Sequence, residues 1–244
     1  IPTLDITHLA RGVVRAVGEP LRRFEEDALR ILRLYRFAAR FSFVIDEATE
    51  AAAKQLAAHL DCVSVERIEE ELNKLLSAPK PGAYLEPEVL AFVLPELPPD
   101  YLSEAREIID ALPAGGGEVT TRWAALLLPL GEDGTRKALK RLKCSNAVID
   151  GVATLVKEKA PRTPPSTLQA KRLLGKYDLH TVQQLTALWS ALQPERKDEF
   201  TDLQKEAETL TAQSACCRVS QLAVNGRKTV LQEKLQMNGE ENRS

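Results

Sequence analysis

The stretch Arg23-Phe24-Glu25-Glu26-Asp27-Ala28-Leu29-Arg30-Ile31-Leu32-Arg33-Leu34-Tyr35-Arg36-Phe37-Ala38-Ala39-Arg40-Phe41 decides how the rest of the chain is read. From Phe24 to Phe41 it contains neither Gly nor Pro, so it reads as one helix. Leu29, Ile31, Leu32, Leu34, Phe37, Ala38 and Phe41 place apolar groups nearly all round it, the mark of a helix largely enclosed by protein. A polar stripe interrupts that surface. Asp27, Arg30, Arg33 and Arg36 recur at helical spacing and share a face, with Phe37 and Arg40 one step further on. Enclosed charges of this kind need partners, because an unpaired buried charge is costly.

Two accounts satisfy that need. In the first, Asp27 pairs with Arg30 and the other arginines cover acidic neighbours. In the second, the stripe faces a ligand. Asp27 offers only acceptors and Arg30 only donors, in a planar fork. Side by side they match an edge with one amino donor beside ring acceptors, as in cytosine and adenine. Guanine and uracil present a carbonyl and a ring N–H at those places and would meet like against like. A mismatch that strands buried polar groups discriminates strongly.

The pattern Glu26-Asp27-x-x-Arg30 within this stretch resembles the neck helix of the bacterial class II tRNA nucleotidyltransferase (CCA-adding) / poly(A) polymerase family. The likeness runs on through Phe43-Val44-Ile45-Asp46 and Thr49 to Val63-Ser64-Val65-Glu66-Arg67-Ile68-Glu69-Glu70-Glu71-Leu72-Asn73-Lys74-Leu75-Leu76. That second stretch is similar to the family's Arg-x-x-x-Glu-Leu-x-Lys-Leu-Leu motif. The resemblance implies that Asp27 and Arg30 read the base of incoming CTP or ATP. It implies that Arg67 and Glu71 brace the reading helix, with Glu26 as a further structural support. Arg33 and Arg36 join the nucleotide-binding candidates from their place on the stripe. The implied fold is all-α, an elongated multi-helix neck, body and tail, with the family's α/β nucleotidyltransferase head missing apart from its last segment. Residues 1–20 would end that head, 21–80 form the neck, 81–160 the body and 161–244 a tRNA-binding tail.

Composition is that of an ordinary soluble globular chain: 44% hydrophobic and 28% charged residues, with a formal net charge of -2. No apolar run reaches membrane-spanning length and the first residues lack the plan of a signal peptide. Cys62, Cys144, Cys216 and Cys217 have no spacing suited to zinc or a disulfide framework and read as reduced thiols of a cytosolic protein. The adjacent Cys216-Cys217 pair reads as packing.

Nucleotidyl transfer of the family's kind needs a Gly-Ser phosphate-gripping turn and an Asp-x-Asp pair holding two Mg²⁺ ions. No Asp-x-Asp or Glu-x-Asp stands in a strand context here. The expectation is that no catalytic residue lies in this chain, that Mg²⁺ belongs to the head, and that the chain alone is inactive. The stretch Thr121-Arg122-Trp123-Ala124-Ala125-Leu126-Leu127-Leu128-Pro129-Leu130-Gly131 resembles a branch of the family with a His-Asp metal site, but Leu128-Pro129 occupies that place. With only His8, His59 and His180 in the chain, no phosphohydrolase metal site is expected.

Along the chain, a helical turn and a short strand-like piece precede Gly18-Glu19-Pro20. Helices are expected over 47–60 and 65–77, the latter with Ser64 as N-cap, ended by Pro79-Lys80-Pro81-Gly82. A helix over 103–112 is broken by Ala114-Gly115-Gly116-Gly117, and Ser145 or Asn146 would cap one over 147–159. Pro161-Arg162-Thr163-Pro164-Pro165 reads as a hinge into the tail, followed by helices over 167–174, 182–192 and 195–212. Between Arg136 and Lys176 stand eleven Lys/Arg against Asp150 and Glu158. Such asymmetry suits either a solvated helix surface or a polyanion face. Beside a nucleotide-reading neck it points to RNA backbone contact, with Arg136, Lys137, Lys140, Arg141, Lys143, Lys171 and Arg172 as candidates. Val219 to Arg227 is similar to the start of the family's tail motif, which is interrupted after Arg227 by Lys228-Thr229-Val230-Leu231. The resulting expectation is a part of a tRNA nucleotidyltransferase, supplying CTP/ATP selection and acceptor-arm binding. The alternatives are an A-adding or poly(A) polymerase-type member and a non-catalytic helical RNA-binding protein.

Overall fold

The computed structural model describes residues 12–113 and 119–213. The helical turn expected before Arg11, the Ala114–Gly117 breaker, the Cys216-Cys217 pair and the interrupted tail motif lie outside those residues. Among the described residues the molecule is helical apart from two short strands, β1 (Val13–Val14) and β2 (Val44–Ile45). They pair in parallel with Val13 opposite Val44 and Val14 opposite Ile45. Arg15 locks the pair to the next helix by donating to Asp46 Oδ1 through Nε at 2.9 Å and Nη2 at 2.6 Å.

The stretch expected to be one helix is two. Helix α1 (Pro20–Glu26) starts on Pro20, whose fixed φ suits the first helical turn, and α2 (Leu29–Phe41) follows after a break at Asp27 and Ala28. Asp27 is extended (φ -155°, ψ 99°) and its Oδ1 accepts the Leu29 N–H at 3.2 Å. The carboxylate thereby competes with the helix for a backbone donor, the habit that makes Asp a starter of helices rather than an interior residue. Ser42 ends α2 in the left-handed region at φ +54°, its N–H turned back to the Ala38 and Ala39 carbonyls.

Helix α3 (Glu47–Gln55) is capped by Asp46, which accepts the Thr49 N–H, and gives way to a 3₁₀ stretch at Ala57–Cys62 instead of continuing to residue 60. Helix α4 (Val65–Leu76) begins after Ser64, whose side chain makes no capping bond. It lies along α2, with Ile68, Leu72, Leu75 and Leu76 buried. Beyond it come α5 (Pro87–Val93), α6 (Leu102–Ala111), α7 (Val119–Leu127), α8 (Gly131–Arg141) and α9 (Asn146–Lys157). Ser145 caps α9, accepting the Val148 N–H. Then follow α10 (Thr167–Leu174), α11 (Leu179–Leu192) and α12, residues 197–213. One apolar core runs from Val14 to Ala207, with Trp123 and Trp189 fully enclosed. No described helix is long and apolar enough to cross a membrane.

Two joints fix the order of these layers. At the first, Arg122 at the start of α7 is fully buried and its guanidinium donates to the carbonyls of Leu76, Ala78 and Pro79, so α7 holds the carboxyl end of α4. Trp123 adds an Nε1–H bond to Asn73 Oδ1 at 2.6 Å. Gly82 beside this joint has no room for a side chain, since a Cβ would meet the Arg106 carbonyl at 2.6 Å. The second joint is the stretch expected to be a hinge. Arg196 donates to the carbonyls of Pro161 at 2.7 Å and Thr163 at 3.3 Å. Glu158 accepts from Lys176 and Tyr177, and its carbonyl accepts from Trp189 Nε1. The prolines break the helix, but Trp189 of α11, Lys176 and Tyr177 just before it and Arg196 in the turn before α12 tie the broken segment down.

Candidate functional site

The break between α1 and α2 carries the candidate site. Asp27 and Arg30 both sit there, each about one fifth to one quarter exposed (24% and 19%). They do not pair with each other. Arg30 Nη1 donates to Glu26 Oε2 at 2.7 Å and to the Arg23 carbonyl at 2.9 Å. Glu26 also accepts from Arg23, and the Arg30 guanidinium beside it holds its carboxyl below the usual carboxylate range. These contacts use one terminal nitrogen of Arg30. Asp27 Oδ2 accepts from Arg67 Nη2 at 3.4 Å and lies 4.0 Å from Arg33 Nη1. Its Oδ1 is the one that starts α2.

Arg33 and Arg36 turn to α4. Glu71 is buried there, and its two oxygens face one arginine each. Arg33 Nε donates to Oε1 at 3.3 Å. Arg36 Nε lies 2.6 Å from Oε2, an ion pair out of line for a hydrogen bond. Of the sequence candidates, Asp27, Arg33, Arg36, Arg67 and Glu71 therefore form one connected group, and Glu26 with Arg30 forms a second. The account in which Asp27 pairs with Arg30 fails because the helix break turns the Asp27 carboxylate toward Arg67, while Glu26 stands one turn from Arg30 and takes its charge. Phe41, expected on an enclosed surface, is 42% exposed because α2 ends there and leaves the packed layer.

The basic candidates separate into two sets. Arg136 pairs with Asp150 and Glu132, Arg141 with Glu96 by a two-pronged contact, and Lys143 with Glu66. Lys137, Lys140, Lys171 and Arg172 are exposed on α8 and α10 with no ion pair among the described residues. Acidic residues far apart in sequence, such as Glu66 and Glu96, neutralise charges that the local count left open. Cys144 is buried, and burial pushes its thiol up to about 12, which leaves it unreactive as a nucleophile. Among the described residues no group of three or more His, Cys, Asp or Glu converges to hold a metal. Arg122 was not singled out from sequence. An arginine heading the apolar run Trp123 to Leu128 is the signal that identifies it.

Residues 42–99 match the family model described as "Probable RNA and SrmB- binding site of polymerase A". The chain is 32% identical over 232 residues to a CCA-adding enzyme of Limosilactobacillus reuteri, covering 90% of this chain and 53% of that protein. A CCA-adding enzyme of Streptococcus uberis is 34% identical over 240 residues, covering 94% of this chain and 55% of that protein. The chain thus spans about half the length of the curated relatives it matches. Among solved structures, the Bacillus stearothermophilus CCA-adding enzyme in complex with CTP superposes with a TM-score of 0.64 at 26% identity, over 82% of this chain and 51% of that one. A tRNA-processing enzyme in an apo form shares the fold at a TM-score of 0.54 and 19% identity, over 79% of this chain and 56% of that one.

Proposed function

We propose, from the premise that the chain belongs to the class II CCA-adding enzyme / poly(A) polymerase family, that it selects the base of CTP or ATP and holds a tRNA acceptor arm for 3′-end addition. Residues 21–80 form the selecting neck in this reading, residues 81–160 a body and 161–213 the start of a tail. The observation that carries it is the position of Asp27 and Arg30. They stand three residues apart at a helix break, linked by the Arg30 N–H to the Asp27 carbonyl, partly open to solvent and each held by another charge. Arg30 keeps Nε and Nη2 for a ligand, and Asp27 keeps acceptor capacity beyond its two contacts. An edge with an amino donor beside acceptors satisfies both, while a guanine or uracil edge leaves both opposed. The template is preorganised because the supports are charges at the end of α1 (Glu26) and on α4 (Arg67, Glu71).

Lys137, Lys140, Lys171 and Arg172, exposed on α8 and α10 with no ion pair among the described residues, contact the RNA backbone by charge and shape. The described residues do not fit a Mg²⁺ site, and no step of the phosphoryl chemistry is assigned to them. In this reading the metal-bearing carboxylates of the full reaction belong to the family's nucleotidyltransferase head. Titration of the chain with CTP, ATP, GTP and UTP, followed by calorimetry or amide chemical shifts, tests the reading. CTP and ATP are expected to bind more tightly than GTP and UTP, with that preference lost in Asp27→Ala. Equal binding of the four nucleotides, or an unchanged preference in the variant, overturns it.

A further inference from the structure

The last turn of α2 and the residues after it hold a group that base selection does not use. Phe37 and Phe41 stack with their planes 3° apart and centroids 6.4 Å apart, and Phe43 continues the series at 5.6 Å from Phe41. Guanidinium groups flank the rings: Arg36 lies over Phe37 at 4.0 Å and Arg40 near the Phe41 ring at 6.0 Å. Phe41 is 42% exposed and the neighbouring Val44 is 69% exposed. Arg40 is exposed and has no carboxylate partner among the described residues. Burial would remove an aromatic ring from water at a gain, so a half-exposed ring beside an unneutralised cation is a surface that awaits a partner.

We propose that the Phe37–Phe41–Phe43 steps, with Arg40, form a stacking site for unpaired nucleotides of the RNA 3′ end. Three observations choose RNA over other occupants. The rings follow one another in steps from the end of α2 to Phe43 beyond it, which suits successive bases better than a polypeptide's apolar side chains. The free charge beside them is positive, complementary to phosphate and itself able to stack on a base. The third is continuity with the proposed reading site. Phe37 follows Arg30 by two helical turns on the same face, about 10 Å along the axis, so nucleotides stacked there lead toward the base-reading pair. The family-model match also begins within these steps, at Ser42. The inference rests on the function proposed above for its ligand class, and on the aromatic geometry for its location.

Fluorescence anisotropy with the whole chain tests it, using a labelled single-stranded hexacytidylate RNA and a blunt-ended RNA duplex as probes. Phe41→Leu keeps apolar bulk and removes the ring; Phe41→Tyr keeps the ring. Phe41→Leu is expected to weaken binding of the single strand by about fivefold or more, the low end of what one stacked base contributes, with Phe41→Tyr near wild type and the duplex unaffected. Single-strand binding unchanged in Phe41→Leu overturns the proposal. Equal losses for strand and duplex overturn it too, as they would reflect a folding defect. So does unchanged RNA binding with an altered oligomeric state, which would make the strip a protein contact. CTP titration of the same variants separates the two readings. A preference for CTP retained in Phe41→Leu but lost in Asp27→Ala, with RNA binding unchanged, would sink the stacking site alone. Weaker RNA binding in Phe41→Leu with CTP preference intact in Asp27→Ala would sink base reading alone.

Discussion

Glu71 on α4 and Arg122 on α7 are both charges buried in the same half of the molecule, and the protein satisfies them in opposite ways. Glu71 is met by side chains, Arg33 and Arg36, which are themselves partly exposed at the candidate site. Arg122 is met by backbone carbonyls at the end of α4 and in the turn after it. A carbonyl cannot move without its helix, whereas a side chain can re-aim. Arg122 thus holds architecture, and Glu71 holds the aim of groups at the candidate site. The difference separates what keeps the helices in register from what tunes their exposed edge.

The largest expected effect breaks or upholds that separation. Arg122→Met leaves several buried carbonyls without a donor, at about 1–3 kcal/mol each, and should lower unfolding stability in urea by about 3 kcal/mol or more. The protein that remains folded should still prefer CTP to GTP; a lost preference at full stability would reverse the roles assigned to the two charges. Glu71→Gln comes next, with an expected loss of about 2 kcal/mol. Here the CTP preference should fall as well, because Arg33 is released to compete for Asp27, 4.0 Å away. An unchanged preference would reduce Glu71 to packing.

Glu158 sharpens the comparison because it uses both devices, its carboxylate taking Lys176 and Tyr177 and its carbonyl taking Trp189. Burial raises its pKa, but the bonds from Lys176 and Tyr177 outweigh that and hold the carboxyl below its ordinary value of 4.5. A depressed folded-state pKa means stability that is present above 4.5 and lost as pH falls through the folded value. Acid denaturation followed by circular dichroism should show this loss, and Glu158→Gln should flatten it; equal acid slopes would show that the carbonyl bond alone carries the joint. The smallest stability effect belongs to the Lys137→Ala, Lys140→Ala double variant, within about 0.5 kcal/mol of the parent. Its readout is the salt dependence of tRNA binding, whose slope should fall by about 2. The same slope in parent and variant would take both lysines off the RNA path.

Much of this could be read from the residues. Helices α2 and α4 follow from uninterrupted helix formers with one apolar face, and the connected charges on them follow from three- and four-residue spacing. The break at Asp27 could not be read, because no Gly or Pro marks it. It depends on a carboxylate winning the Leu29 N–H from the helix. The pairing of Arg30 with Glu26 instead of Asp27 depends on that same break. The division of the basic residues was hidden for another reason. Glu66 and Glu96 lie far from Lys143 and Arg141 in sequence, and only the fold brings them within reach. Composition counts charges; it does not show which of them already have partners.

The proline-rich stretch from Pro161 to Pro165 has a practical consequence for anyone dividing this chain into fragments. Its composition invites a cut. A fragment ending there would lose Arg196, the donor to its last carbonyls, and would leave Glu158 without Lys176 and Tyr177. A fragment starting there would carry Trp189 with its indole N–H unanswered and its enclosed ring laid open to water. The two pieces would each bear half of a single lock, prone to stick to one another or to themselves. What the sequence punctuates as a gap is, in three dimensions, a seam.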